Sequence, residues 1–311
     1  MQYRRVGNSG LKVSALAIGG WITFEEIRLS GVREVVRAAV DKGVNFIDLA
    51  DVYGRGTAEE FTGNLMRDFR RDDLVLSSKV FWPMSDKPND RGLSRKHILE
   101  SIDRSLTRLQ TTYVDLYFCH RYDDETPLEE VVRAMDHLVR QGKVLYWGTS
   151  MWTAEQIEAA VALARELGCY APVVEQPRYN LVDRSIEAAV MPTAARLGIG
   201  LTVWSPLGQG VLTGKYAEGI PAGSRADTNA WMKGQIDPAH VATARRLAPI
   251  AADLGVPLAQ LALAWVLHRP EVTCAITGAT SREQVEANLL AADLALDDGV
   301  LARIDAALAG G

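Results

Sequence analysis

Short apolar runs alternate with amphipathic stretches along most of the chain, at intervals of about thirty residues. Eight of the runs have the length of a strand and are bounded by turn or helix signals. They predict strands at residues 15–18, 44–48, 74–79, 113–119, 144–149, 173–176, 199–204 and 272–277.

The stretches between these strands repeat apolar residues every three or four positions, as amphipathic helices do. They predict helices at residues 31–42, 58–69, 94–109, 128–141, 154–167 and 184–197. Several end at Gly just before the next strand, which fits a left-handed helix terminus. Thr153 followed by Gln156 has the form of a capping box. Thr126 before Pro127 predicts a helix with Pro in its first position.

Three further segments depart from this rhythm. Residues 2–6 and 11–13 read as two short strands joined by a turn, which predicts a hairpin cap. Residues 205–238 form a long stretch rich in Gly and Pro, and long loops inside compact domains are usually functional or mobile. Residues 297–309 predict a last helix, with residues 310–311 as a frayed end.

Eight strands that each return through a helix predict a closed (β/α)8 TIM barrel with an N-terminal β-hairpin cap. A doubly wound sheet usually has fewer strands and a visible topological break. The length of 311 residues alone is compatible with one or two domains. The barrel predicts a single domain over residues 1–311.

Composition narrows the functional classes. No run reaches the roughly 18 to 20 apolar residues of a membrane span, and the first ten residues lack a signal-peptide core, so we expect a cytoplasmic protein. A net charge of −5 argues against a surface for nucleic acid. Cys119, Cys169 and Cys274 are too few for a disulfide framework or a metal cluster, and we expect them to be core residues.

Polar residues cluster at one end of the predicted strands. Asp48 closes the second strand, Lys79 closes the third, and His120 follows the fourth, while Tyr53 lies in the loop after the second. In a barrel these C-terminal ends form the face that carries active sites. The pattern therefore predicts a carboxylate, a phenol, an amine and an imidazole around one mouth.

Each of these residues also has a structural interpretation when taken singly. Asp48 would cap a loop, Lys79 would reach solvent, and Tyr53 would pack beneath its helix. Aromatic residues near the same mouth would either line a substrate pocket or pack in the core. These aromatic residues are Trp21, Phe81 and Trp82. The spacing of Gly208, Gly210 and Gly214 fits neither a G-x-G-x-x-G motif nor a P-loop, so a nucleotide would have to bind through a different arrangement of residues.

Several segments together, in order along nearly the whole chain, resemble the aldo-keto reductase superfamily. They include residues 46–54 (FIDLADVYG), Lys79, residues 115–121 (DLYFCHR), 146–152 (YWGTSMW) and 204–207 (WSPL). The later segments are most similar to the branch that contains the potassium-channel β-subunits and their bacterial and plant relatives.

The resemblance implies NADPH lying across the C-terminal mouth of the barrel. Tyr53 would be the general acid, and Lys79 and Asp48 would lower the pKa of its phenol, since an adjacent ammonium stabilises the anion. His120 would orient the carbonyl group of the substrate, in a pocket that also includes Trp21, Phe81 and Trp82. The implied activity is the reduction of aldehydes or ketones to alcohols.

The resemblance also implies which residues contact the cofactor. Ser150 and Gln176 would hold the nicotinamide carboxamide, and Trp204 would stack on its ring. Residues 205–238 would clamp the cofactor, and a helix starting near Ser281 would offer amides to the 2′-phosphate, which favours NADPH over NADH. The implied contacts on the phosphate side are Ser205, Leu207, Lys215 and Arg225, and those at the adenosine end are Gly278, Thr280, Gln284 and Asn288. The other implied cofactor contacts are Gly20, Trp21, Asp48, Pro206 and Gly208.

One feature favours catalysis over regulation within this resemblance. Channel β-subunits commonly have Asn where this chain has His120, so the set of four is complete here. The chain also ends soon after its last predicted helix, so we expect an open pocket and broad specificity. Three alternatives stay open: a redox-sensing NADPH-binding subunit with low turnover, a polyol dehydrogenase, and an aldolase that uses Lys79 as a Schiff base. No interface signature separates a monomer from a homo-oligomer.

Overall fold

The computed structural model describes residues 1–310, apart from the side chains of Glu26 and Arg225. The strands of this part are β1 Tyr3–Arg5, β2 Lys12–Ser14, β3 Leu16–Gly19, β4 Phe46–Asp48, β5 Val75–Val80, β6 Val114–Cys119, β7 Val144–Thr149, β8 Val174–Glu175, β9 Gly200–Val203 and β10 Val272–Thr277. Its helices are α1 Thr23–Glu26, α2 Leu29–Asp41, α3 Thr57–Leu65, α4 Arg95–Leu109, α5 Leu128–Arg140, α6 Ala154–Glu166, α7 Val190–Leu197, α8 Arg225–Thr228, α9 Ala230–Gly234, α10 Pro238–Asp253, α11 Leu258–His268, α12 Arg282–Leu289 and α13 Asp298–Ala309.

Strands β3 to β10 form a closed barrel in which neighbouring strands are parallel, and β10 pairs with both β9 and β3. These are the eight strands predicted from the apolar runs, shifted by at most two residues at their ends. The predicted (β/α)8 barrel is confirmed.

The predicted N-terminal hairpin is also present. Strands β1 and β2 pair antiparallel, and the turn between them lies against the N-terminal end of β9. Gly7 there has φ +53°, and a Cβ on it would collide with the Gly198 carbonyl oxygen, so only Gly fits this contact. The hairpin therefore closes the end of the barrel opposite the predicted site.

Side chains alternate between the inside of the barrel and the helices around it, because successive residues of a strand face opposite ways. One apolar cluster fills the interior and includes Phe46 of β4 and Val75 of β5. Asp48 lies two residues after Phe46, and Ser77 lies two residues after Val75, so both face the barrel interior. Lys79 lies two residues after Ser77 and faces the same way. The two strands thus place polar side chains at the C-terminal end of the interior.

Most of the residues predicted to begin or end helices do so in the structure. Gly43, Gly142, Gly168 and Gly198 follow helices and have positive φ angles between 64° and 88°. Thr153 caps α6 with both bonds of a capping box, since its side chain accepts from the Gln156 amide and the Gln156 side chain accepts from the Thr153 amide.

Three predicted helix boundaries are wrong. Pro127 is the N-cap of α5 instead of its first residue, and the hydroxyl of Thr126 donates to Asp123. The helix predicted at 184–197 is broken, because Ala189 has a non-helical φ of −139°, and α7 begins only after it. The helix predicted at 58–69 ends at Leu65 and continues as a short 3₁₀ turn.

The long segment at 205–238 carries more structure than a loop. It contains a 3₁₀ helix over Gly208–Thr213 and the short helices α8 and α9. No single helix in the described part of the chain is long and apolar enough to cross a membrane. The pair α10 and α11 meets that test of length and composition only when taken together, with a bend of 93° between them.

Candidate active site

A cavity of about 1060 Å³ opens at the C-terminal ends of the barrel strands. Most of the residues predicted for the site line it. They are Trp21, Asp48, Tyr53, Trp82, His120, Ser150, Gln176, Trp204, Ser205, Pro206, Leu207, Lys215, Gly278, Thr280, Gln284 and Asn288. The strand ends and the loops after them thus bring together residues that are up to 267 positions apart in the sequence.

The remaining predicted residues lie elsewhere. Lys79 is completely buried beneath the cavity floor. Phe81 does not line the cavity and packs edge-on against Trp82, with ring centroids 5.1 Å apart. Gly20 and Gly208 also lie behind the lining, and a Cβ on Gly20 would meet Leu49 and Phe24. The backbone of Arg225 begins α8, but its side chain lies outside the described residues.

Lys79 is the centre of the polar floor. Its ammonium donates to Asp48 Oδ2 at 2.8 Å, to the Leu49 carbonyl oxygen at 2.6 Å and to Tyr53 Oη at 3.1 Å. An ammonium has three hydrogens, so these acceptors account for all of them. Because Tyr53 Oη accepts from Lys79, its own hydrogen is available to a group in the cavity.

Asp48 connects this floor to the other side of the barrel. Its Oδ1 accepts from Ser77 Oγ at 2.7 Å and from Gln176 Nε2 at 2.9 Å, while Oδ2 accepts from Lys79. Ser150 Oγ donates to the Gln176 carbonyl oxygen at 2.9 Å. The two residues predicted to hold the nicotinamide carboxamide therefore belong to the same hydrogen-bond network as the residues predicted for proton transfer.

Tyr53 and His120 face each other at the bottom of the cavity. Their ring centroids are 5.8 Å apart at an interplanar angle of 80°. Burial, with smaller contributions from Lys79 and Arg121, holds the pKa of His120 well below its ordinary value. His120 is therefore a neutral imidazole with one donor and one acceptor nitrogen. Its buried Nδ1 has no hydrogen-bond partner among the described residues.

Burial raises the pKa of Tyr53 well above its ordinary value, and the Asp48 carboxylate adds to this effect while Arg121 opposes it. The sequence had suggested a pKa lowered by Lys79. In the structure the loss of hydration outweighs the nearby cations, since a buried phenolate is costly. Burial likewise lowers the pKa of Lys79, and the Asp48 carboxylate opposes that shift. Tyr53 is thus protonated and able to donate.

An aromatic group forms one wall of the cavity. Trp21 packs edge-on against Trp204 at 5.9 Å and against Trp231 at 5.1 Å, measured between ring centroids. Trp231 lies in α9, within the segment 205–238, and was not predicted as a site residue. Its only signal in the sequence was its place in that long segment. Residues 221–224 of the same segment also line the cavity, so the segment borders it.

The far end of the cavity is lined by the loops after β9 and β10. Lys215 comes from the first loop, and Thr280 and Gln284 come from the second. Ser281 caps α12 by accepting from the Gln284 amide, and Gln284 Oε1 accepts from the Thr280 amide at 2.9 Å. The helix start predicted near Ser281 is present. A cation and the N-terminus of a helix at this end suit a phosphate group.

Behind the polar floor lies a second buried network that the sequence did not reveal. Asp51 accepts from Ser101 Oγ at 2.7 Å, and its other oxygen has no partner in the part of the chain that the structure describes. Glu59 nearby accepts from Ser78 Oγ at 2.5 Å and from Arg108 Nε at 2.6 Å. Burial first and the Glu59 carboxylate second raise the pKa of Asp51 from 3.8 to about 7.

The sequence is similar to known proteins over almost its full length. The model of the Aldo/keto reductase family matches residues 15–309. A "Probable voltage-gated potassium channel subunit beta" of Oryza sativa subsp. japonica is 47% identical over 303 residues, which cover 94% of this chain and 92% of the relative. The protein of the same name in Arabidopsis thaliana is 46% identical with the same coverage.

A "Putative voltage-gated potassium channel subunit beta" of Schizosaccharomyces pombe is 41% identical over 316 residues, covering 97% of this chain and 92% of that protein. The barrel and the cavity at the C-terminal ends of its strands agree with the matched family. This chain belongs to the aldo/keto reductase family.

Proposed function

We propose that the protein is an NADPH-dependent oxidoreductase that reduces aldehydes and ketones to alcohols, with Tyr53 as the general acid. The contact that carries this proposal is the hydrogen bond from Lys79 to Tyr53 Oη, made while the same ammonium is held by Asp48. A phenol fixed in this way at the floor of a cavity is placed to give a proton to a bound oxygen atom. We also propose that residues 1–311 form a single catalytic domain.

The shape and the donor set of the cavity fit a nicotinamide dinucleotide. Its volume of about 1060 Å³ lies just above the usual range of about 300 to 1,000 Å³ for small-molecule sites. Ser150 and Gln176 offer amide-recognising groups at one end, Trp204 offers an aromatic face, and Lys215 offers a cation at the other end. This order matches the order of carboxamide, pyridine ring and phosphates in the cofactor. The start of α12 would receive the phosphate that distinguishes NADPH from NADH.

The bound cofactor would supply a hydride to the carbonyl carbon of the substrate. The protein's own residues would bind and protonate the carbonyl oxygen. Tyr53 and His120 would both hydrogen-bond the carbonyl oxygen, and Tyr53 would transfer its proton as negative charge develops there. Lys79 donates to Tyr53 Oη and would stabilise the phenolate that remains, and Asp48 holds Lys79 in place. Trp21, Trp82 and Trp204 would reduce the access of water to the reacting atoms.

A redox-sensing NADPH-binding subunit with low turnover is the second candidate. The names of the three similar proteins, all described as potassium channel β-subunits, favour it. His120 supports turnover instead, since a neutral imidazole beside Tyr53 can hydrogen-bond a carbonyl oxygen. Oxidation of a polyol would use the same residues in the reverse direction.

The experiment is a carbonyl panel assayed by the loss of NADPH absorbance, with NADH in parallel and with Tyr53→Phe as the test variant. Removing the proton donor should lower kcat by about 10² to 10⁴, and NADPH should be used more efficiently than NADH. Tyr146→Phe is a matched control, because Tyr146 lies in β7 and does not line the cavity. A Tyr53→Phe enzyme with wild-type turnover would contradict the assigned role.

The same preparation separates the alternatives. Tight retention of NADPH with negligible turnover across the panel would favour the regulatory subunit. Alcohol-dependent reduction of NADP⁺ that exceeds carbonyl reduction would favour the polyol dehydrogenase. Covalent trapping of a carbonyl compound on Lys79 by borohydride, without nicotinamide, would indicate an aldolase; the three hydrogen bonds of Lys79 argue against that reaction.

A further inference from the structure

Arg121 lines the catalytic end of the cavity and has no role in the mechanism above. It follows His120 directly, and its guanidinium lies 5.5 Å from the centroid of the Trp82 ring. Its Nη1 donates to the carbonyl oxygen of His120 at 2.5 Å. Among the side chains that the structure describes, no carboxylate lies within ion-pair distance of this guanidinium, although most other partly buried arginines have one, such as Arg71 and Arg108.

A guanidinium in this position is costly without an anion. It carries five N–H donors in a planar fork that matches a carboxylate, and only one of them has a protein acceptor here. The side chain is partly withdrawn from water, and burial lowers its pKa. Contact with the face of Trp82 holds the fork beside the cavity. The charge is thus pre-positioned, partly desolvated and open to a ligand.

The neighbouring charged groups do not neutralise the positive charge of Arg121. Lys79 is already paired with Asp48 at 2.8 Å beneath the floor. The Glu175 carboxylate raises the pKa of Arg121, but it is fully buried and accepts a hydrogen bond from Thr149 Oγ1 at 2.6 Å. Burial raises the pKa of Glu175 to about 7, so part of its population is neutral at physiological pH. The catalytic end of the cavity therefore carries a positive charge.

We propose that Arg121 binds a carboxylate on the carbonyl substrate, so that the preferred substrates are aldehydes or ketones with a carboxylate several atoms from the reacting carbonyl. This inference rests on the proposed function, since it concerns the same cavity. Neighbouring contacts link Tyr53 to Arg121. His120 lies 5.8 Å from Tyr53 and 6.2 Å from Trp82, between ring centroids, and the Arg121 guanidinium lies 5.5 Å from the Trp82 centroid. A carbonyl at Tyr53 and a carboxylate at Arg121 would span this row of side chains.

The test compares 4-carboxybenzaldehyde with methyl 4-formylbenzoate, which has the same ring and aldehyde but no charge. Wild-type enzyme with NADPH should prefer the carboxylate by about tenfold or more in kcat/KM, and the preference should fall with ionic strength. Arg121→Gln should bring the ratio close to one, and Arg121→Lys should retain part of it. Using the ratio removes any general effect of Arg121 on the pKa of Tyr53, because both substrates share the same reacting group.

Arg133→Gln is the matched control. It makes the same chemical change on the exposed face of α5, where Arg133 pairs with Glu129, and it should leave the ratio unchanged. A wild-type ratio near one, or a ratio that survives Arg121→Gln, would overturn the inference while the reductase function stands.

A second measurement does not depend on turnover. Calorimetric titration should show saturable binding of benzoate to the wild-type protein, with binding of benzamide at least tenfold weaker, and loss of the benzoate signal in Arg121→Gln. If neither aldehyde is reduced but benzoate binds through Arg121, the proposed function fails and the anion site stands. If benzoate binds no better than benzamide, the anion site is refuted whatever the turnover.

Discussion

Replacing Asp51 by Asn tests whether a buried carboxyl group behind the catalytic floor controls the pH dependence of stability. Asp51 is 1% exposed, and its pKa is raised from 3.8 to about 7. The folded state therefore binds the proton more tightly than the unfolded chain does. Between pH 4 and pH 7 the unfolded carboxyl group is ionised while the folded one is protonated, so stability falls as the pH rises through this window.

The size of the effect follows from the shift. One pKa unit corresponds to about 1.4 kcal/mol. A folded pKa of about 7 against 3.8 makes the proton on Asp51 worth about 3 kcal/mol of unfolding free energy at pH 5, and almost nothing at pH 8. Asn resembles the protonated carboxyl group in shape, can still accept from Ser101, and does not titrate.

We expect the wild-type protein to lose about 3 kcal/mol more than Asp51→Asn between pH 5 and pH 8, measured by urea unfolding at each pH. Glu175 has a pKa raised to about 7 as well and titrates in both proteins, so the difference between them isolates Asp51. Asp124→Asn is the control, because Asp124 is exposed. Parallel curves of stability against pH for the wild-type protein and Asp51→Asn would refute the assignment.

Two further substitutions test other parts of the structure. Lys79→Met should abolish most turnover and lower the free energy of unfolding by about 3 to 5 kcal/mol, because Asp48 would keep only the neutral donors Ser77 and Gln176. If the variant unfolds in urea and turns over substrate as the wild-type protein does, the ion pair is dispensable. Thr153→Ala should cost about 1 kcal/mol of unfolding free energy by removing the cap of α6, with kcat unchanged, and no change in the denaturation midpoint would show that this cap contributes nothing.

The barrel was readable from the sequence for a physical reason. Parallel strands are covered on both faces, so they appear as short continuous apolar runs, and all eight strands of the barrel gave that signal. The positions of Asp48, Lys79 and His120 at strand ends were readable too, because the fold itself gathers those ends at one face. Tyr53 followed from its place in the loop after β4.

Other features depended on distances that the sequence does not contain. Ser101, which donates to Asp51, is 50 residues away from it, and Trp231 reaches the cavity from a segment without a periodic pattern. The pKa of Tyr53 was predicted to be lowered by its cationic neighbour, whereas burial raises it. The prediction of one continuous helix through Ala189 was also wrong, because the non-helical φ of this residue interrupts a sequence pattern that favours a helix.

The tryptophans around the cavity also determine the intrinsic fluorescence of the protein. Four of the seven tryptophans line the cavity, namely Trp21, Trp82, Trp204 and Trp231, and the other three are buried away from it. Indole emission depends on the polarity and the contacts of the ring, so most of the chain's emitting groups surround one small volume. The intrinsic fluorescence of this protein is therefore largely a signal from its own cavity.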